Sequence, residues 1–133
     1  MSQSVTEDCH VVLIFPRIAG NVRLRVLPFG LLAIASRLRA AGFAARIIDL
    51  NYETEELVYE LAAQKSVLYI GFSVFTGPMI GEALSLSRRL RQVAAGRPLV
   101  WGGPHPTIMP ELTIAHPLVD VICHGEGEIT AVR

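Results

Sequence analysis

Leu99-Val100-Trp101-Gly102-Gly103-Pro104-His105-Pro106-Thr107 runs a short apolar segment straight into two glycines and a pair of prolines. A brief apolar run bounded by turn-forming residues reads as a strand buried on both faces. The glycines then remove two side chains at its carboxyl end, which is where open parallel sheets hold their ligands. The pattern returns further on, where Leu118 to Cys123 is followed by Gly125-Glu126-Gly127-Glu128. Two glycine-bearing loops at neighbouring strand ends describe a rim built for close backbone approach to a large ligand.

Upstream, strands and helices alternate. His10 to Phe15 is apolar and closed by Pro16, as expected of a central strand, and Arg17 to Leu27 is a loop with a Gly20-Asn21 turn signal. Pro28 opens a helix over Phe29 to Ala41, whose apolar positions recur at helical spacing and which ends at Gly42. Ala44 to Leu50 is the second strand and Glu53 to Ala63 the second helix; Val67 to Val74 is the third strand, and Pro78 to Ala95 the longest helix. A short helix around Pro110 to Ala115 separates the fourth strand from the fifth. This alternation predicts right-handed βαβ units: a doubly wound, five-stranded parallel sheet of flavodoxin-like (Rossmann-like) order 2-1-3-4-5. The sequence stops at Arg133, where a further helix is expected after Glu128. Without it part of one sheet face is bare unless another domain or a second copy covers it.

The bulk numbers agree with a sheet covered on both faces: 51% hydrophobic and 18% charged residues over 133 positions. Twelve basic and twelve acidic residues cancel, and Lys65 is the only lysine, which removes the electrostatic case for nucleic acid or an anionic membrane. No apolar run approaches the roughly 18 residues of a membrane span. Residues 1–8 read as a polar, frayed leader rather than a signal peptide, leaving residues 9–133 as one domain. Cys9 and Cys123 have no cysteine or metal-ligand spacing around them and read as reduced thiols of a cytoplasmic protein.

The rim gathers four loops: Pro16 to Leu27, Ser73 to Pro78, Gly102 to Thr107 and His124 to Glu128. In the second, the Ser73 and Thr76 hydroxyls either bond a ligand or cap the helix that Pro78 opens, and Gly77 lets the backbone come close. Gly102 and Gly103 either make a tight turn or open a slot; a β-branched residue at either is expected to block the slot and leave the fold largely intact. His105, stiffened between prolines, is either a hydrogen-bonded loop histidine or a ligand, with no second metal ligand at a recognisable spacing. Glu126 and Glu128 either begin a helix or accept from hydroxyl or amide donors. There is no G-x-x-x-x-G-K, no G-x-G-x-x-G after the first strand, and no acidic set for phosphoacceptance.

Taken in order, Pro28-Phe29-Gly30-Leu31-Leu32-Ala33, Ile48-Asp49-Leu50-Asn51, Gly71-Phe72-Ser73-Val74-Phe75-Thr76-Gly77, Trp101-Gly102-Gly103-Pro104-His105-Pro106-Thr107 and Gly125-Glu126-Gly127-Glu128 resemble the N-terminal cobalamin-binding domain of B12-dependent radical S-adenosylmethionine enzymes, the bacteriochlorophyll cyclase-like and C-methyltransferase class. The resemblance implies a flavodoxin-like fold with cobalamin across the carboxyl rim. Its dimethylbenzimidazole tail would enter beside the third and fourth strands. Ser73, Val74, Thr76 and Gly77 would line that tail, Gly102, Gly103, Pro104 and His105 would give it room, and Gly125, Glu126 and Gly127 would close the far side. Better-known cobalamin domains carry D-x-H-x-x-G after the first strand, whereas Pro16-Arg17-Ile18-Ala19-Gly20 stands here, so the expectation is base-off cobalamin without histidine ligation. The C-x-x-x-C-x-x-C of the radical half is absent, which puts the 4Fe-4S cluster and S-adenosylmethionine in a downstream domain, in cis or in trans. The chain is thus expected to carry a methyl-transfer or redox cofactor and not to catalyse alone. The alternatives are a flavodoxin-like module for another nucleotide-tailed cofactor such as flavin, or a degenerate interaction domain, with the uncovered sheet face available to a second copy.

Overall fold

A computed structural model describes residues 8–18, 28–75, 77–123 and 125. The expected leader falls almost wholly outside them, as do Thr76, His124, Glu126, Gly127, Glu128 and most of the loop after the first strand. Ten elements follow in order: β1 (Val11–Phe15), α1 (Phe29–Ala40), β2 (Ala45–Asp49), α2 (Glu55–Ala62), β3 (Tyr69–Ser73), α3 (Pro78–Val93), β4 (Leu99–Gly102), α4 (Pro104–Ile108), α5 (Pro110–Ile114) and β5 (Val121–Ile122). The sheet is parallel throughout, in the order β2-β1-β3-β4-β5, as the alternation predicts.

β1 is buried at all five positions because it is central and covered on both faces. Alternation along it splits the core into two layers. Val11, Leu13 and Phe15 pack with Leu31, Ala35 and Leu38 of α1. Val12 and Ile14 join Ile70, Phe72, Leu99 and Trp101 beneath α2 and α3. Ser87, fully buried within α3, satisfies its hydroxyl by donating to the Ala83 carbonyl at 2.7 Å. On the α1 side the cover thins towards β5: Tyr69 and Val100 are half-buried and Val121 is 44% exposed.

Several boundaries differ from the sequence reading, each for a local reason. α2 begins at Glu55 rather than Glu53, because the Glu53 carboxylate accepts from the Asp49 amide at 3.3 Å and pairs with Arg46. β3 starts at Tyr69 rather than Val67, and α3 ends at Val93 with Ala94 as its cap. β5 contracts to Val121–Ile122, since Asp120 is engaged sideways with Leu99, its amide donating to the Leu99 carbonyl at 3.0 Å and its carboxylate accepting from the Leu99 amide at 2.8 Å. The segment holding His105, read as a stiff loop, is the helix α4. Prolines 104 and 106 fall in its first turn, where amides have no helical partner to lose.

Asp120 also accepts from Arg91 of α3 at 2.7 Å and so ties the outer strands to the helix that covers them. The Arg91 guanidinium, assisted by the Leu99 amide and against the effect of burial, holds its carboxyl below the usual Asp value. A depressed folded pKa stabilises the fold fully above the unfolded Asp value, about 4, and the contribution disappears as pH falls through the folded one. Asp120→Ala should therefore cost about 1 kcal/mol at neutral pH, a figure already reduced for solvent screening of a pair one-third exposed. In thermal denaturation at a series of pH values, the gap between variant and parent should narrow as pH falls below about 4.

Candidate cofactor-binding cleft

The carboxyl ends of β3 and β4 are stitched together by backbone. The Val74 amide donates to the Gly102 carbonyl at 2.8 Å, and the His105 amide donates to the Val74 carbonyl at 2.9 Å. Between these bonds the chain turns through Gly103, whose φ of +94° lies where side chains are strained. A Cβ there would sit 2.9 Å from the Val74 amide nitrogen and 3.1 Å from Ser73 Oγ. At Gly102, by contrast, a Cβ would find ordinary contacts, with Cys123 Cβ at 3.6 Å and the Phe72 carbonyl at 3.8 Å. The two glycines are therefore not equivalent. The expectation that a β-branched residue leaves the fold intact at either position is corrected for Gly103, where backbone occupies the space.

The stitched corner opens onto a cleft of about 520 Å³. One wall is α1, through Gly30, Leu31 and Ile34. The other is the rim itself: Phe72, Ser73, Gly102, Gly103, Pro104, Thr107, Ile108 and Gly125. This volume falls within the roughly 300–1,000 Å³ of cofactor sites. Among the described residues no charged side chain lines it; their polar groups are the Ser73 and Thr107 hydroxyls and backbone. Such a wall suits a flat, neutral, largely apolar group entering edge-on, with hydroxyls to bond the sugar or phosphate that follows. Among the described residues no group of three His, Cys, Asp or Glu side chains gathers in reach of one ion.

Of the residues read from sequence, Ser73, Gly102, Gly103, Pro104 and Gly125 line this cleft. Val74 is fully buried and contributes only its backbone bonds, and Gly77, with φ +119°, precedes α3 outside the lining. His105 is 9% exposed and stands outside the lining, packed within the α4 turn. Thr76, Glu126 and Gly127 lie outside the described residues.

The sequence reading missed the α1 wall and Thr107. Gly30 stood in the quoted Pro28–Ala33 motif, and a glycine near the start of an otherwise apolar helix was the available signal. Thr107 Oγ1 donates to the Gly103 carbonyl at 2.9 Å and receives the Gly125 amide at 3.0 Å, joining the loops after β4 and β5. The hydroxyl is what matters at this position. Thr107→Val should cost about 1–2 kcal/mol in denaturant unfolding, while Thr107→Ser should retain most of the parent's stability.

A second hollow, about 380 Å³, lies at the opposite edge of the sheet between Asp8, Cys9, Arg39, Arg46 and Leu61. Burial pushes the Cys9 thiol up, and its Sγ donates to the Val11 carbonyl at 3.3 Å, so this is a packed and unreactive sulfur.

An uncharacterized methyltransferase of Pyrococcus horikoshii, PH0819, is 31% identical over 106 residues, which are 77% of this chain and 23% of that protein. Two solved structures of TsrM, a radical S-adenosylmethionine methyltransferase from Kitasatospora setae, share the fold at 22% identity. The one with tryptophan and a S-adenosylmethionine analogue superposes with a TM-score of 0.74 over 92% of this chain and 25% of its own. The one with cobalamin and a [4Fe-4S] cluster gives 0.62 over 78% of this chain and 20% of its own. The chain thus spans about a quarter of the length of the proteins it matches. The family model for the B12 binding domain matches residues 17–133, and the chain belongs to that family.

Proposed function

We propose that this chain holds cobalamin with its nucleotide tail in the α1–β3–β4 cleft and presents the corrin face, at the carboxyl rim, to a radical S-adenosylmethionine iron–sulfur domain. The observation that carries the reading is the cleft itself: glycines at Gly30, Gly102, Gly103 and Gly125 on both sides, apolar walls, and two hydroxyls. These residues fit the cofactor's tail. Leu31 and Ile34 would face the dimethylbenzimidazole, Ser73 would bond the ribose or phosphate, and Thr107, whose proton goes to the Gly103 carbonyl, would accept from a ribose hydroxyl. When bound, cobalamin supplies a cobalt centre suited to methyl transfer or electron transfer. The protein's part is to bind, to orient and to keep the tail away from the metal.

Two features support a base-off mode without protein histidine. His105 stands outside the cleft lining and is almost wholly buried. At the exit of β1, Arg17 is occupied by the Leu50 carbonyl at 3.4 Å and by Glu82 at 3.6 Å, and the Ile18 amide donates to Asn51 Oδ1 at 2.9 Å. That exit is fixed by the Asp49–Asn51 turn, and the described part of it carries no histidine.

Titration of the chain with hydroxocobalamin, followed by absorption and gel filtration, tests the reading. Co-elution of the corrinoid, with the spectral change that marks displacement of dimethylbenzimidazole, is the expected result. Uptake of flavin instead, or of neither, would overturn it. Gly102→Val should keep the parent's circular dichroism and lose at least about tenfold in cobalamin affinity, as side-chain bulk enters the cleft. Gly103→Val should instead destabilise the fold itself, by about 2 kcal/mol or more.

A further inference from the structure

β2 is an edge strand, and one side of its backbone has no neighbouring strand. The Ala44 carbonyl accepts from the His10 and Val11 amides, and the Leu50 amide donates to the Phe15 carbonyl. Backbone groups alternate in direction along a parallel strand. Ala44, Arg46, Ile48 and Leu50 therefore face β1, while Ala45, Ile47 and Asp49 turn their amides and carbonyls outward. Such a row is a template for another strand. The opposite edge, β5, is only two residues long and offers little to pair with; β2, with five, is the longer edge.

Side chains from outside the strand occupy its two ends. Arg39, in the last turn of α1, donates through its guanidinium to the Ala45 carbonyl at 3.2 Å. Glu53, in the turn before α2, accepts from the Asp49 amide at 3.3 Å and is held there by Arg46 at 3.5 Å. The Asp49 carbonyl is taken by the Tyr52 and Glu53 amides at 3.0 and 2.8 Å. Left facing out, among the described residues, are the Ala45 amide and both backbone groups of Ile47.

We infer that Arg39 and Glu53 are edge guards, which keep β2 from pairing with the β2 of a second copy of this chain. The register of such a pair shows why these two ends are the ones covered. Antiparallel strands related by a two-fold axis at Ile47 would set Ala45 opposite the partner's Asp49. The Asp49 amide of each chain would then donate to the Ala45 carbonyl of the other. Those are the groups that Glu53 and Arg39 hold. With both occupied, only the exchange between the two Ile47 residues remains, too little for a stable seam.

The test is sedimentation equilibrium of the 133-residue chain, joined to amide hydrogen exchange. In the parent, the Asp49 amide should exchange at least about tenfold more slowly than the outward Ile47 amide, each relative to its intrinsic rate. Glu53→Ala should bring the two within about threefold. Glu53→Gln, which keeps an acceptor oxygen but loses the ion pair with Arg46, should retain the protection. Arg39→Ala combined with Glu53→Ala should tighten dimerisation by about tenfold or more over the parent, and the Ile47 amide should gain protection as the dimer forms. If that variant fails to fold, Arg39→Met with Glu53→Leu, which keeps the aliphatic stems, carries the same expectation. A folded variant that associates no more tightly than the parent, or a dimer that leaves Ile47 exchanging freely, would overturn the inference. So would a parent in which the Asp49 amide exchanges as fast as that of Ile47.

Discussion

The close approach of Gly103 to the Val74 backbone is the constraint on which the rest of the rim depends. With φ at +94° and no room for a Cβ, the chain leaves β4 and doubles back within hydrogen-bonding distance of the end of β3. That contact aligns the Val74–Gly102 and His105–Val74 bonds, starts α4 in place, and so sets Thr107 where its hydroxyl can receive the loop after β5. The cleft is the space left over between this corner and α1. Its rim side accordingly carries glycine backbone and small hydroxyl residues at Ser73, Gly102, Gly103, Thr107 and Gly125 beside Phe72 and Ile108, and α1 faces them with Leu31 and Ile34.

The two edges of the sheet divide polar and apolar duties. Ionic and amide-anchored contacts sit outside the cleft: Arg91 with Asp120 on one flank, Arg46 with Glu53 and Arg17 with Glu82 on the other. They fix strand ends and loop exits. Among the described residues the cleft has no charged lining, which favours a neutral group over the phosphates that helix-terminus and lysine-bearing loops collect.

Much of the architecture was legible because the strands are short apolar runs and the helices are periodic: β1, β3, α1 and α3 fall within one or two residues of where the pattern places them. What was hidden is tertiary in origin. Pro104-His105-Pro106 suits a stiff extended loop as well as a helix's first turn, and only the fold shows that both prolines fall in the first turn of α4. The contraction of β5 depends on Asp120 bonding to Leu99, 21 positions away. At the site, glycine spacing identified one wall, through Gly102, Gly103 and Gly125. The facing wall is a helix surface whose Leu31 and Ile34 look like ordinary core residues in sequence. Thr107, though quoted in the motif and the rim loop, was given no role for the same reason: its two bonds run to Gly103 and Gly125, and only the folded rim brings those loops together.

Amide chemical-shift mapping during titration with cobalamin addresses the placement of the cofactor most directly. The cleft predicts that Ser73, Gly102, Gly103, Thr107 and Gly125 shift together with Gly30 and Leu31 of α1, and that cobinamide leaves the deeper members of this set undisturbed. Shifts gathered instead around Arg39 and Arg46, at the opposite edge of the sheet, would contradict it.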